Sequence, residues 1–458
     1  MNVSRVYNQK NKVSLFLFIM GISFLLLLES WAKPYLLDGL YFQKWTSDEM
    51  MQTLPVKSLL EFPIRSLWYL HKQPPGLDLV RGVVVQLVGL MKPDNLLRAV
   101  DAFLYKVWMV FGALQIVLIY RWLLLLCGRC SAVLFSLFWM VHPALIYYIT
   151  LLDGTMLSSL LTSWFFYELW RTQSMKWQIG SMTTNAIRLG IAVGMLMLTR
   201  TIFQWFFLPI LLFSLLLMKL NRRQIFVFLA TASIILGPYF LKQKLVFGIL
   251  SSATFGGYHL CGIIWYKPSD AELIETGKSI RYSYPNDTRL LPWDTYNTEK
   301  QYRDNLVYNK ICKEQIMDHP YETMLAIKRS ILVSFEKFLK PSSQYRDHAL
   351  VPRLSWRVIH DSMFSHLSLI LIGLSAVVIW LLKVCRLRRN ILQNMINGFA
   401  LSLPFFYAVA IIMLANRYEW VESDRLKFII EPVFYCFIVT QFHTLFKWLL
   451  NFRPKVGL

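Results

Sequence analysis

The chain has 458 residues, 56% hydrophobic and 15% aromatic, with a mean hydropathy of +0.44. Soluble domains average about 45–50% apolar residues, so this composition, gathered in runs of roughly 16–20 residues, excludes an ordinary soluble protein. The formal charge of +21 comes from Lys and Arg that punctuate the apolar runs. That is the positive-inside pattern, with anionic lipid headgroups as partners, and it argues against nucleic acid.

Span 1 (about 13–32) follows Arg5, Lys10 and Lys12 and so runs outward from the cytoplasm. It is long for a signal-peptide h-region, and Glu29-Ser30-Trp31-Ala32 is a poor cleavage site, so the span is expected to be retained. An outer stretch, 33–98, holds one apolar piece at 77–91. It is short of the ~20 residues that cross a bilayer, contains Arg81, and is bounded by Pro74-Pro75 and Pro93, so it reads as a surface helix. Spans 2 to 7 follow at 100–120, 131–150, 154–170, 186–199, 202–218 and 224–240. A polar loop covers 241–363, and spans 8 to 10 cover 365–382, 394–414 and 428–446. This parity puts every short basic cluster in the cytoplasm, whereas a crossing at 77–91 would throw the clusters at 219–223 and 383–389 outside.

The expected fold is an all-α polytopic membrane protein of about ten helices, with both termini cytoplasmic. It divides into an N-terminal transmembrane module (1–240, with the first outer loop 33–98), a long extracytoplasmic loop (241–363) and C-terminal transmembrane helices (364–458). Within the long loop, 251–260 (SSATFGGYHL) reads as a Gly-rich loop and 265–309 as irregular structure. Residues 310–339 read as one amphipathic interfacial helix. Cys127-Gly128-Arg129-Cys130 has redox-motif spacing but no second pair nearby, and Cys261 and Cys312 share the outer loop and are able to pair.

Asp38 and Asp153 each follow an outward span, so both should lie near the outer interface, where a carboxylate needs a task or a partner. Two converging acids suit general-base work on a hydroxyl, or a divalent cation such as Mg2+ or Mn2+. Position alone equally allows each to cap the helix that follows it. Lys72, Arg81, Arg98 and Arg200 stand at the same level and suit a phosphate, with snorkelling span ends as the plainer reading. Glu431, inside an apolar segment, calls for a partner such as Arg425 or Arg417. No His/Cys cluster of zinc type, P-loop or nucleophile elbow is present.

Assembled in order, these pieces resemble the GT-C glycosyltransferases, and within them the protein O-mannosyltransferase and aminoarabinose transferase group. Asp38-Gly39-Leu40-Tyr41-Phe42 is similar to the acid and aromatic that follow span 1 in that family. His71-Lys72-Gln73-Pro74-Pro75-Gly76 resembles its His/Lys-Pro-Pro element, and Arg98 its basic entry to the next span. Leu152-Asp153-Gly154-Thr155 resembles its second acid, and Leu198-Thr199-Arg200-Thr201 its Leu-Thr-Arg. Phe255-Gly256-Gly257-Tyr258-His259-Leu260 is similar to its Gly-Gly loop, and Glu422-Ser423-Asp424-Arg425 up to Pro432 to its closing element. Many members carry an adjacent acid pair where Gly39 follows Asp38 here, a departure that bears on any metal role.

The resemblance implies a GT-C type bundle and an inverting transfer of a sugar from a polyprenyl-phosphate donor. The acceptor would be a glycan, lipid or protein on the outer side, most naturally at a bacterial plasma membrane. Asp38 would be the general base and Asp153 would position acceptor or ion. Lys72, Arg98 and Arg200 would hold the donor phosphate, and His71, Tyr41, Tyr258, His259, Glu422 and Arg425 would contact substrate. The rival class is a transporter or flippase of lipid-linked saccharides. It fits less well, because no internal repeat is visible and the charges gather at one face.

Overall fold

The computed structural model describes residues 3–32, 47–48, 53–174, 182–203, 207–254, 256–282, 284, 297–339, 391–415 and 420–451. Every regular element among them is helical. In chain order these are α1 (Val3–Ala32), α2 (Val56–Glu61), α3 (Pro63–Trp68), α4 (Gly76–Gly89), α5 (Leu96–Leu126), α6 (Arg129–Met140), α7 (Pro143–Thr150) and α8 (Gly154–Ser174). They continue with α9 (Met182–Met197), a 3-10 turn (Thr201–Phe203), α10 (Phe207–Leu217), α11 (Arg222–Phe247), α12 (Gly256–Ile263), α13 (Asp270–Ser279), α14 (Glu299–Asp318), α15 (Pro320–Leu339), α16 (Ile391–Ala415) and α17 (Trp420–Asn451).

Among the described residues, three helices are long and apolar enough to cross a membrane: Asn11–Ser30 within α1, all of α5, and all of α11. A fourth arises if α6 and α7, bent by 49° where Pro143 interrupts the ladder, count as one span. The other expected spans fall on helices that are shorter or more polar, and span 8 lies outside the described residues. The polarity of α8 has a use: Thr155, Ser158, Ser159, Thr162 and Ser163 are all fully buried, turned into the bundle rather than away from it.

Side-chain pairs fix the helix directions. Glu29 of α1 pairs with Lys106 of α5, while Arg121 further along α5 donates to Ser14, so these two run antiparallel. Trp108 Nε1 donates to the Asp153 carbonyl and Gln115 Nε2 to Ser159 Oγ, at 3.2 and 2.8 Å, so α5 and α8 run together. Helices α9 and α11 are parallel and close. A Cβ on Gly190 would lie 2.8 Å from the Phe228 carbonyl oxygen, and one on Gly194 would lie 2.9 Å from Ile235 Cβ. This Gly-x-x-x-Gly spacing lets two backbones approach in a way larger residues forbid. Consequently the starts of α5, α8 and α17 share one end of the bundle with the ends of α1, α7, α9 and α11.

Four expectations need correction. Residues 310–339 are two helices rather than one, because Pro320 supplies no N–H to continue α14 and instead begins α15. The irregular reading of 265–309 fails at α13, where Ser269 and Glu272 form a capping box, and at α14, which Thr298 caps. The Gly-rich stretch 251–260 is a loop only as far as its first few residues, after which α12 begins. Glycine is needed there for contact: the Gly257 N–H donates to Asn305 Oδ1 at 2.7 Å, and a Cβ would collide with the Asn305 carbonyl. Finally, α11 runs to Phe247, past the boundary drawn at 240.

Cys261 and Cys312 form a disulfide that joins α12 to α14. Cys127 and Cys130 do not pair: Cys127 is buried with its Sγ donating to Thr440 Oγ1, and Cys130 is exposed. The stretch before α2 is tied to the bundle by Arg81 of α4. This fully buried guanidinium donates to the Leu54 carbonyl, Asp78 and Asp48 at 2.6, 2.8 and 2.9 Å. Arg81, a phosphate candidate in the sequence, is thus a structural cation.

Candidate active site

Asp153 sits in the turn between α7 and α8 with 2% of its side chain exposed. It does cap α8, since its Oδ1 accepts from the Thr155 N–H at 2.9 Å and its Oδ2 from the Thr155 hydroxyl at 2.6 Å. It also does more. Arg425, on the first turns of α17, donates Nε to Oδ2 at 2.7 Å and brings a second nitrogen to 2.5 Å. Arg200, just past α9, lies 3.6 Å from the same oxygen and donates to the Thr155 hydroxyl at 2.8 Å.

Burial by itself would push the Asp153 carboxyl up. The Arg425 and Arg200 guanidiniums and the Thr155 hydrogen bonds outweigh it and hold the pKa below its ordinary value. Among the described residues, two guanidiniums face this one carboxylate. The two guanidiniums are 13% and 18% exposed, whereas the carboxylate beneath them is almost entirely buried. Among the described residues no group of three or more His, Cys, Asp and Glu is arranged to hold a metal.

The His71–Gly76 loop packs beside this cluster. The Gly76 N–H donates to the Leu198 carbonyl at 2.7 Å, and a Cβ there would lie 2.8 Å from Thr199 Oγ1, so only glycine lets the loop rest on the turn that carries Arg200. From the other side α11 clamps the loop. Lys242 Nζ donates to the Leu70 carbonyl at 2.6 Å, and the Tyr239 hydroxyl donates to the Gln73 carbonyl at 3.0 Å. Asn297 pins it from the long loop, its Oδ1 accepting from the His71 and Lys72 N–H groups at 3.0 and 3.2 Å.

His71 itself is fully buried, among the rings of Phe247, Tyr302 and Tyr284, and shares a hydrogen bond with the Thr254 hydroxyl at 3.0 Å. Burial, with Lys242 and Lys72 nearby, outweighs the Asn297 hydrogen bond and holds its pKa at about 3, so the ring is neutral. Lys72 is buried as well.

The expected site residues thus divide. Arg200 and Arg425 both meet Asp153, and His71 and Lys72 lie on the loop packed beside them. Arg98 is exposed on the first turn of α5, which Asn95 caps. Tyr258 and His259 are on α12, with the Tyr258 ring 4.3 Å from that of Tyr308. Glu422 is on α17, its side chain outside the described part, and Asp38 and Tyr41 lie outside the described residues altogether. Arg425, considered as a partner for Glu431, pairs with Asp153 instead. Thr254, Lys242 and Asn297 were not singled out from sequence. Lys242 had a signal, a charge at the end of an apolar run one helical turn from Tyr239; Asn297 had none.

The fold is an all-helical bundle with helices suited to a membrane and a buried, cation-rich cluster at one end. No family model matches the chain, and neither does any curated protein. Among solved structures, the archaeal oligosaccharyltransferase AglB from Archaeoglobus fulgidus, in complex with an inhibitory peptide and a dolichol-phosphate, aligns with 98% of this chain and 53% of its own. Identity is 13% and the TM-score 0.46, and this chain spans about half the length of that protein. A likeness of that size decides neither fold family nor activity.

Proposed function

We propose that the chain is a membrane-embedded glycosyltransferase of GT-C type that moves a sugar from a polyprenyl-phosphate donor to an acceptor on the extracytoplasmic side, with inversion. The observation that carries this reading is convergence. Segments quoted for the resemblance, at 71–76, 152–155, 198–201 and 422–425, are spread over more than three hundred residues and meet in one place through Gly76–Leu198, Asp153–Arg200 and Asp153–Arg425.

The chemistry of the cluster suits the donor. A phosphate leaving group gathers negative charge as the C1–O bond breaks, and fixed guanidiniums held by a buried anion stabilise it without reorganising. In this reading Asp153 positions Arg200 and Arg425, Lys72 and Arg98 add positive charge for the donor phosphate, and Asp38 takes the acceptor proton as the hydroxyl attacks C1. The disulfide in the 241–363 loop supports an oxidising, outward face for that loop.

The test is transfer of radiolabelled sugar from a panel of polyprenyl-phosphate sugars by the purified chain in nanodiscs, beside Asp38→Asn and Arg425→Ala. Release of polyprenyl phosphate by the wild type, lost in both variants, is the expected result. Movement of labelled lipid between leaflets without phosphate release would replace this reading with the transporter.

A further inference from the structure

Helices α12, α13 and α14 enclose a second concavity, a cleft of 640 Å3, within the range of about 300–1,000 Å3 typical of small-molecule sites. One wall is aromatic, with the Tyr258 and Tyr308 rings 4.3 Å apart and tilted by 32°, and Tyr282 also lining the space. Ile274 is also part of the lining and remains 59% exposed.

The rest of the lining is charged in balance: Glu299 and Asp304 accept, Lys300 and Arg303 donate. A Cβ on Gly277 would lie 3.2 Å from Arg303 Nη2, so the guanidinium rests against the bare backbone of α13. Among the described lining residues the charges balance, which disfavours a polyanion. Apolar faces set beside carboxylate and guanidinium groups match a ligand that has both a hydrocarbon face and an edge of vicinal hydroxyls.

We propose that this cleft is a binding site for a neutral saccharide, and that it seats the sugar chain of the acceptor. The second half rests on the transferase reading; the first does not. The cleft lies one aromatic layer from the His71 loop. The Tyr282 hydroxyl donates to Glu299 Oε1 at 2.9 Å, and its ring meets that of Tyr302 at 5.9 Å, which in turn meets His71 at 5.4 Å.

The experiment is saturation-transfer NMR on the full chain in nanodiscs, without donor, using neutral gluco-, manno-, galacto- and N-acetylglucosamine trisaccharides, a hexapeptide and a sulfated trisaccharide. At least one neutral trisaccharide should bind. Its affinity should fall about tenfold in Arg303→Ala and in the near-isosteric Glu299→Gln, and stay unchanged in Lys313→Ala. Binding of no neutral saccharide, equal affinity in the cleft variants, or preference for the peptide or sulfated probe would each overturn the proposal. Saccharide binding without any phosphate release in the transfer assay would keep the cleft and remove its role as acceptor site. Phosphate release by a chain that binds no saccharide would keep the transferase and remove the cleft.

Discussion

Asp153 and Arg425 form a largely buried ion pair, with Arg200 and Thr155 also on the carboxylate. Removing one partner of such a pair costs about 3–5 kcal/mol, because an uncompensated charge stays behind; Arg200 remains nearby and should keep the loss at the lower end. Arg425→Ala should therefore lower the thermal unfolding midpoint in nanodiscs as well as sugar transfer. Arg425→Lys should recover more of the stability than of the transfer, because an ammonium cannot reproduce the two-pronged contact. Equal recovery of both would mean that only charge matters there.

His71 gives a second prediction at this scale. Its folded pKa, about 3, lies below the unfolded value of about 6.5. Between those values the unfolded chain binds the proton more readily, so stability should fall as pH drops from about 6.5 towards 3. The Asp153 contribution, from a depressed carboxyl, is present above the unfolded carboxyl value of about 3.9 and fades only below it. Unfolding midpoints measured across this range should slope downward in the wild type. His71→Asn should be flatter above pH 4.

Among the elements, the α9–α11 pair sets the geometry of the site, because its two C-terminal ends hold the Arg200 turn and the Lys242 clamp. Gly190→Val should force the helices apart at the Phe228 carbonyl and displace both ends at once; overpacking of this kind costs about 1–3 kcal/mol. The expected readout is loss of phosphate release with the disulfide-bonded lobe still resistant to protease. Gly257→Ala should give the reverse, protease sensitivity in the 256–318 region, since its methyl meets the backbone of α14. If the two variants gave the same pattern, bundle and lobe would not be separate packing units.

For the whole molecule, the alternation of helix directions puts Cys130 at the opposite end of the bundle from the His71 loop, with the Cys261–Cys312 disulfide packed towards the site end. In sealed vesicles of known orientation, an impermeant maleimide should reach Cys130 only from the cytoplasmic side. It should reach Cys261 or Cys312 only from the other side, and only after reductant. Labelling of both sets from one side would refute the proposed topology.

The chain by itself pointed to a membrane protein and marked the apolar runs and the short α4 between prolines, and it offered capping of α8 as one of two readings of Asp153. These are properties of neighbouring residues, set by transfer energies, chirality and the missing N–H of proline. It also marked Asp153, Arg200 and Arg425 as candidates, though not as one cluster. Only the tertiary structure decided that Arg425 serves Asp153, 272 residues away, rather than Glu431 close by. The same holds for Asn297 beneath His71, for Arg81 as a structural cation rather than a phosphate ligand, and for the cleft on α12 to α14. Such contacts depend on which helices pack and in which direction, and that follows from features such as the Gly190 and Gly194 approach. A buried charge takes the partner that the packing brings to it, whatever the distance in sequence.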